Sequence, residues 1–200
     1  MMSRIELLLI QLDEAYARLS QRLEGLTDEE YLWRPVPGPG GWSIRRRDDG
    51  RWAADYDSPD PVPAPFTTIA WRLLHIADCK IMYHEYAYGA ATLTFSDVAA
   101  SRTAAGALTR LDEGQQLLRD DLLGLADDEA LDAEVGTNWG EQPSGQAEPG
   151  HVPGGGKKVP AWRIFWTMIE HDSWHGGEIG TMRDLYRYRS TLQPRGVARP

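Results

Sequence analysis

The sequence predicts an all-α fold, a four-helix bundle with a small hairpin insertion after the first helix and a long loop before the last. Four long segments carry apolar residues at helical spacing, and the segments between them are rich in proline, glycine and charge. Strand-like pattern is confined to one short stretch, which favours packing of helix on helix. At 200 residues, a single domain over 1–200 is expected, with a flexible tail from about residue 193.

The first helix is predicted from about Ser3 to Leu26. Ser3 and Glu6 match a capping box, in which each side chain accepts a hydrogen bond from the backbone N–H of the other residue. Apolar residues then recur at helical spacing, at Ile5, Leu8, Leu9, Leu12, Tyr16, Leu19, Leu23 and Leu26. A second capping pattern at Thr27 and Glu30 predicts a short extra helix directly afterwards.

The stretch 35–65 differs in composition, with prolines, glycines and isolated tryptophans. Within it, Asp49-Gly50 separates two short apolar stretches and favours a type I′ hairpin. The alternating prolines that follow are typical of an extended connector. A second long helix is predicted over 67–88, and its broad apolar surface indicates that it lies in the interior.

The third helix is predicted from near Ser101 to about Leu123, with leucines along one side and charged residues toward solvent. The segment 136–159 is rich in glycine and proline and predicts a long mobile loop, either disordered or a lid. The fourth helix is predicted from Ala161 to about Arg189, after a proline that the first turn tolerates.

Composition excludes several classes of function. A net charge of −9, without a basic face, argues against a nucleic-acid partner. No stretch has the length and apolarity of a membrane span, and no signal peptide is recognisable. Because Cys79 is the only cysteine, an internal disulfide is excluded and a cytoplasmic location is expected.

The fourth helix carries a pair of histidines suited to metal binding. His171 and His175 lie one turn apart, so both imidazoles project from one face and can share an ion. Glu178 returns to that face, where it could ligate, orient a ligand or move a proton, which makes it the candidate catalytic residue. The alternative for Glu178 is a solvent-side helix acid. A transition-metal site needs at least one more ligand, from another helix.

Three further histidines are candidates for that ligand. His151 lies in the long loop, where fixing it costs conformational entropy. His75 and His84 point in opposite directions on the second helix, and His75 belongs to its strongly apolar half. The predicted metal ligands are therefore His75, His171 and His175, and histidines with purely structural roles are the alternative.

Other residues near this predicted site have two interpretations. Cys79, one turn from His75, could approach the metal or act as a nucleophile, although a small core residue is the preferred interpretation. Trp42, Trp71 and Trp174 either wall a pocket or serve packing. The residue after His171 is Asp and not Glu, which excludes a zinc protease of the HExxH type.

The chain resembles the DinB/YfiT-like superfamily in motifs that reach from the end of the first helix into the fourth. The motifs are LTDEEYLWRP at 26–35 with WSI at 42–44, TIAWRLLHIA at 68–77 and EHDSWHGGEI at 170–179. The resemblance implies a four-helix bundle with three metal-ligating histidines, one on the second helix and two on the fourth, which fall on His75, His171 and His175. It also implies pairing into a homodimer. The insertion before the second helix and the loop before the fourth depart from the family pattern.

Three imidazole ligands leave a coordination position for water or a thiol, as in catalytic sites. Zinc is the default ion for such ligands, and nickel and iron are alternatives. Members of the superfamily include bacterial thiol-dependent transferases and the metal-binding domain of mycothiol-dependent maleylpyruvate isomerase. We therefore expect transfer of a low-molecular-weight, mycothiol-like thiol to an electrophilic small molecule. A metal-dependent hydrolase and a non-catalytic, stress-associated metal-binding protein remain the alternatives.

Overall fold

The computed structural model describes residues 2–57, 61–94, 97–138 and 156–192. Its long helices are α1 (Arg4–Leu23), α3 (Ile69–Tyr88), α4 (Ala104–Leu123) and α5 (Ala161–Arg187). Two single-turn helices, α2 (Asp28–Tyr31) and α6 (Arg189–Leu192), follow α1 and α5. The predicted all-α, four-helix architecture is confirmed. Among the described residues, no helix is long and apolar enough to cross a membrane.

Helix α3 is extensively buried within the bundle. It packs against α4 on one side and against α5 on another, and α1 packs against α5 and α4. Apolar residues on several faces of α3 are almost completely buried, among them Ile69, Leu73, Ile76 and Met82. This arrangement explains the broad apolar surface of the second predicted helix, because neighbours cover it on more than one side.

Side-chain caps determine where the helices begin. The capping box at α1 is confirmed, since Glu6 N donates to Ser3 Oγ over 3.0 Å and Ser3 N donates to Glu6 Oε2 over 2.7 Å. Helix α3 begins after Thr68, whose hydroxyl accepts from Trp71 N. Helix α4 begins at Ala104 and not near residue 101, because the Thr103 side chain caps it.

Helices α1 and α5 are shorter than predicted, because each ends earlier in the sequence. Helix α1 ends at Leu23, and Gly25 has a φ of +68°, which is incompatible with continuation of the helix to Leu26. Helix α5 ends at Arg187, and α6 is a separate turn after it.

The predicted hairpin is present, with a different turn. Strands β2 (Ile44–Arg46) and β3 (Trp52–Ala54) pair antiparallel. The type I′ prediction is wrong, because that turn needs two residues with positive φ and only Gly50, at +87°, has one. Instead, Gly50 N donates to Arg47 O, and Arg47 N donates to Arg51 O, so a wider turn ends in a left-handed glycine.

Two further strand pairs close the insertions, and neither was predicted. Strand β1 (Gly41–Trp42) pairs in parallel with β4 (Phe66–Thr67), so the two ends of the insertion meet directly before α3. Strand β5 (Glu134–Val135) pairs antiparallel with β6 (Val159–Pro160), at the two ends of the predicted long loop. Most of that loop, residues 139–155, and the predicted tail from 193 lie outside the described residues.

Candidate metal centre

Three histidines meet where α3 packs against α5. The ring centroids of His75 and His171 lie 4.8 Å apart, those of His171 and His175 4.5 Å, and those of His75 and His175 5.3 Å. The Nε2 atoms of His75 and His171 are 3.1 Å apart. His84 does not join this cluster, because its Nδ1 contacts the carboxylate of Asp121 on α4. The predicted proximity of His75 to the helical pair is therefore present in the fold.

Polar side chains contact the Nδ1 atoms of His75 and His175. The hydroxyl of Tyr56 lies 3.3 Å from Nδ1 of His75, and Oε2 of Glu178 lies 2.6 Å from Nδ1 of His175. Arg72 forms an ion pair with Glu178, and its Nη1 lies 3.4 Å from the same nitrogen of His175. A proton on each Nδ1 leaves Nε2 as the nitrogen that can donate a lone pair to a metal.

Cys79 lies against the same cluster, one turn after His75 on α3. Its Sγ is 3.8 Å from Nδ1 and 4.0 Å from Nε2 of His75. The ligand atoms of His75, Cys79 and His171 all lie within 4.8 Å of one another. This group could hold a metal ion. Cys79 is also a buried core residue, as preferred from the sequence, and is 9% exposed.

The environment keeps the three imidazoles neutral. Burial, together with His175 and Arg72, lowers the pKa of His75 from 6.5 to about 3. Burial, with His75, His175 and Lys80, lowers the pKa of His171 to about 2. Burial and Arg72 lower the pKa of His175 to about 4. Because each ring carries only one proton at pH 7, one of its nitrogens keeps a lone pair that can bind a cation.

Burial shifts the pKa of the Cys79 thiol upward, whereas it shifts the pKa values of the histidines downward. Burial, and secondarily the charge of Asp78, raises the pKa of Cys79. The sulfur therefore carries its proton in the absence of a cation, because a thiolate here would be desolvated without compensation.

The distance between two of these rings fits a metal ion bound to both. A tetrahedral ion with metal–nitrogen bonds of about 2.05 Å separates two nitrogens by about 3.3 Å. The 3.1 Å between Nε2 of His75 and Nε2 of His171 is close to that separation. Nδ1 of His171 is buried and has no hydrogen-bond partner among the described residues, whereas Nδ1 of His75 and Nδ1 of His175 each have one, so an ion on Nε2 of His171 would leave that Nδ1 without a partner.

A buried ion pair between Lys80 and Asp172 lies next to the histidine cluster. Nζ of Lys80 lies 2.6 Å from Oδ2 of Asp172 and donates to Oε1 of Gln115 over 2.5 Å. Both charged side chains are completely buried. Burial lowers the pKa of Lys80 and raises that of Asp172, whereas the partner's charge opposes each shift. The network joins α3, α4 and α5 directly next to His171.

An aromatic-walled cavity of about 320 Å³ is lined in part by residues that contact His75. Trp71 stacks on the ring of His75 at 4.8 Å, and both Trp71 and Tyr56 line the cavity. The full lining comprises Trp42, Tyr56, Pro61, Ala64, Pro65, Thr67 and Trp71. Two of the three tryptophans considered from the sequence therefore line a cavity, whereas Trp174 is 69% exposed and stacks on His175.

Sequence reasoning named the histidines and Glu178, which the fold brings together, but did not indicate several of their neighbours. Arg72 precedes His75 by one helical turn, a spacing that could have indicated a shared face. Tyr56 comes from the insertion, where no periodicity points to the site. Lys80 and Asp172 pair across 92 positions, a relationship that local pattern does not encode.

The fold and the site describe a helical bundle in which neutral histidines and a thiol, clustered between two long helices, form a group that could hold a metal ion. The family model described as the DinB superfamily matches residues 11–179, and the chain belongs to this superfamily. The match reaches from α1 into α5 and includes the whole histidine cluster. Searches of curated proteins and of solved structures found no match.

Proposed function

We propose that this protein is a metal-dependent enzyme that transfers a low-molecular-weight, mycothiol-like thiol to an electrophilic small molecule. The observation that carries the proposal is the meeting of three neutral imidazoles between α3 and α5. His75, His171 and His175 are the proposed metal ligands. A metal with three imidazole ligands keeps a position for an exogenous thiol or water, which a closed structural site lacks.

Zinc is the proposed ion, with nickel and iron as alternatives, because imidazole binds all three. A transition ion bound there would act as a Lewis acid that favours the thiolate form of a thiol at neutral pH. In the transfer, the thiol loses its proton and its sulfur bonds to the electrophilic carbon. In an addition, a double bond of the electrophile opens as that bond forms, and its second atom takes up a proton. In a substitution, the leaving group departs with the electron pair of the broken bond.

Glu178 acts in this proposal as a positioning residue for His175. Its carboxylate accepts from Nδ1 of His175 and is itself paired with Arg72, which fixes the orientation of the ring. Glu178 is 33% exposed, so the same carboxylate is accessible from solvent and can receive the proton of an incoming thiol.

The size and the lining of the aromatic-walled cavity suit a small, largely apolar electrophile as the substrate. Its volume of about 320 Å³ is at the lower end of the range for small-molecule sites, and rings of Trp42, Tyr56 and Trp71 form its walls. Tyr56 and Trp71 also contact His75, so the cavity lies near the histidine cluster.

The first test is elemental analysis of untagged protein, with His75→Ala and His171→Ala as variants. His84→Ala is the matched control, because His84 lies on the same helix as His75 and contacts Asp121 instead of the cluster. We expect about one transition ion per chain in the wild type and in the control, and loss of the ion in both site variants. No metal in the wild type after reconstitution would overturn the proposal.

The second test separates transfer from the alternatives. Metal-loaded protein is incubated with mycothiol or cysteine and with N-ethylmaleimide or a nitrochlorobenzene, and consumption of the thiol is measured against the His171→Ala variant. Metal-dependent consumption supports transfer. Hydrolysis of a nitrophenyl ester without thiol would favour a hydrolase, and a metal-loaded protein inactive in both assays would favour a non-catalytic role.

A further inference from the structure

The sulfur of Cys79 belongs to a group of ligand atoms that could hold a metal ion. That group consists of His75, Cys79 and His171, with all ligand atoms within 4.8 Å of one another. His175 lies beside the group, and its Nδ1 is held by Glu178 and faces Arg72. We infer that Cys79 is itself a ligand of the metal, approaching from the buried side with His75 and His171. The inference rests on the proposed function and adds a thiolate to its three histidines, so an exogenous thiol would bind as a fifth ligand of the ion.

Helix geometry brings the sulfur and the imidazole of His75 together. The two residues are one turn apart on α3, and residues at that spacing lie on the same face. A tetrahedral ion with bonds of about 2.05 Å to nitrogen and 2.3 Å to sulfur separates those two atoms by about 3.6 Å. The distance from Cys79 Sγ to His75 Nε2 is 4.0 Å, so a small side-chain rotation reaches bonding geometry.

The acidic residue next to Cys79 does not compete with the sulfur for a cation. Asp78 is buried, and its Oδ1 accepts from Nε of Arg110 on α4 over 2.7 Å. This carboxylate is therefore engaged toward α4, whereas Cys79 and His75 share the side that meets α5. On coordination, the thiol proton leaves to solvent as the sulfur–metal bond forms, with no change of oxidation state.

With Cys79 as a ligand, one side of the proposed metal centre is buried and the other is partly exposed to solvent. Cys79 is 9% exposed and lies in the core, whereas Glu178, beyond His175, is 33% exposed. An incoming thiol would therefore reach the centre from its more exposed side, past His175 and Glu178. A thiolate ligand also favours zinc or cobalt over magnesium and manganese, which prefer oxygen.

Cobalt substitution of the full chain tests the inference. Metal-free protein, prepared with a reductant that contains no thiol, is titrated with Co²⁺ and followed by absorption spectroscopy. A cobalt–thiolate bond produces a charge-transfer band in the near ultraviolet, and Cys79 is the only cysteine that can supply it. We expect this band in the wild type, in His84→Ala and, at weaker affinity, in His175→Ala.

The Cys79→Ser variant should bind cobalt without the charge-transfer band, and its zinc affinity should fall by at least about tenfold. If Cys79→Ser does not fold, Cys79→Ala and the wild-type spectrum still decide the question. Visible cobalt d–d bands in the wild type without a charge-transfer band would overturn the inference and leave the proposed function intact. Absence of any bound cobalt would overturn both.

Discussion

The Nε2 atoms of His75 and His171 lie 3.1 Å apart, although the two residues are separated by 96 positions in the chain. Two neutral imidazoles at this distance share either a proton or a cation. The separation is set by the packing of α3 against α5, which also brings Cys79, His175 and Arg72 to the same place. Changes that act on this contact therefore have measurable effects on metal binding or on stability.

Removal of the Tyr56 hydroxyl should weaken metal binding without unfolding the protein. In Tyr56→Phe, Nδ1 of His75 loses a partner at 3.3 Å, and the ring loses part of its orientation. We expect zinc affinity to fall roughly tenfold. Competition with a chelating dye measures the affinity, and Tyr188→Phe, at a tyrosine that is 64% exposed, is the matched control. Equal affinity in both variants would contradict the role of Tyr56.

The Glu178→Gln substitution should lower enzymatic activity and leave the fold intact. The substitution keeps the shape of the side chain but removes the charge that faces both Arg72 and Nδ1 of His175. We expect a fall of about 10- to 100-fold in kcat/KM for thiol consumption, with an altered pH profile. Asp184→Asn, at a 64% exposed acid on the same helix, is the control. An unchanged pH profile would leave Glu178 as a surface acid.

The metal-free protein should lose histidine-dependent stability as the pH falls from about 6.5 to about 4. The unfolded chain takes up protons near 6.5, whereas the folded pKa values of His75 and His175 are about 3 and about 4. The unfolded state therefore binds more protons in this window, and the free energy of unfolding decreases by up to about 1.4 kcal/mol per pH unit for each histidine.

A carboxyl group acts in the opposite direction in the same window. Burial raises the pKa of Asp78 to about 7, so its protonation favours the folded state as the pH falls. The comparison to make is therefore the pH dependence of the melting temperature in wild type and in His171→Ala, both with a chelator. The variant should show the shallower decline on acidification. Parallel curves would contradict the lowered pKa of His171.

Lys80→Met should destabilise the bundle strongly. The substitution leaves Asp172 buried without its partner, directly beside His171. Loss of one member of a buried pair costs roughly 3–5 kcal/mol in the free energy of unfolding. Arg18→Ala is the control, because the Arg18–Glu14 pair is 71% and 60% exposed and contributes little. Chemical denaturation measures both, and similar losses would contradict the importance of the buried pair.

We also predict a homodimer. Leu7 and Ile10 of α1 are 46% and 44% exposed, which leaves apolar surface on that helix for a second copy. Light scattering should give about twice the chain mass of 22.4 kDa. Leu7→Glu with Ile10→Glu should shift the mass to that of one chain. A monomeric wild type would contradict the prediction.

The helices and their order could be predicted because the signals are local. The capping box at Ser3 and Glu6 and the cap at Thr68 depend on residues within one turn of each other. The same locality allowed His75 to be separated from His84, since opposite positions on one helix follow from its period. These features need no knowledge of what the helix packs against.

The missed features depend on partners far away in the chain. Lys80 interrupts an apolar face and meets its partner, Asp172, only when α3 and α5 pack together. The parallel pairing of Gly41 with Phe66 needs the whole insertion to close, and sequence alternation over two residues cannot indicate it. The position of Tyr56 beside His75 follows from that closure.

The location of the histidines also sets a time order for assembly of the site. His75 precedes His171 and His175 by about half the chain, and during synthesis α3 and α4 leave the ribosome first. Helices α3 and α4 can pack on each other at that stage, but a nascent chain without α5 has only one of the three histidines in the cluster. Loading of an ion at the proposed site would therefore follow synthesis of the last long helix, and ribosome-bound fragments that end before Ala161 should not retain zinc.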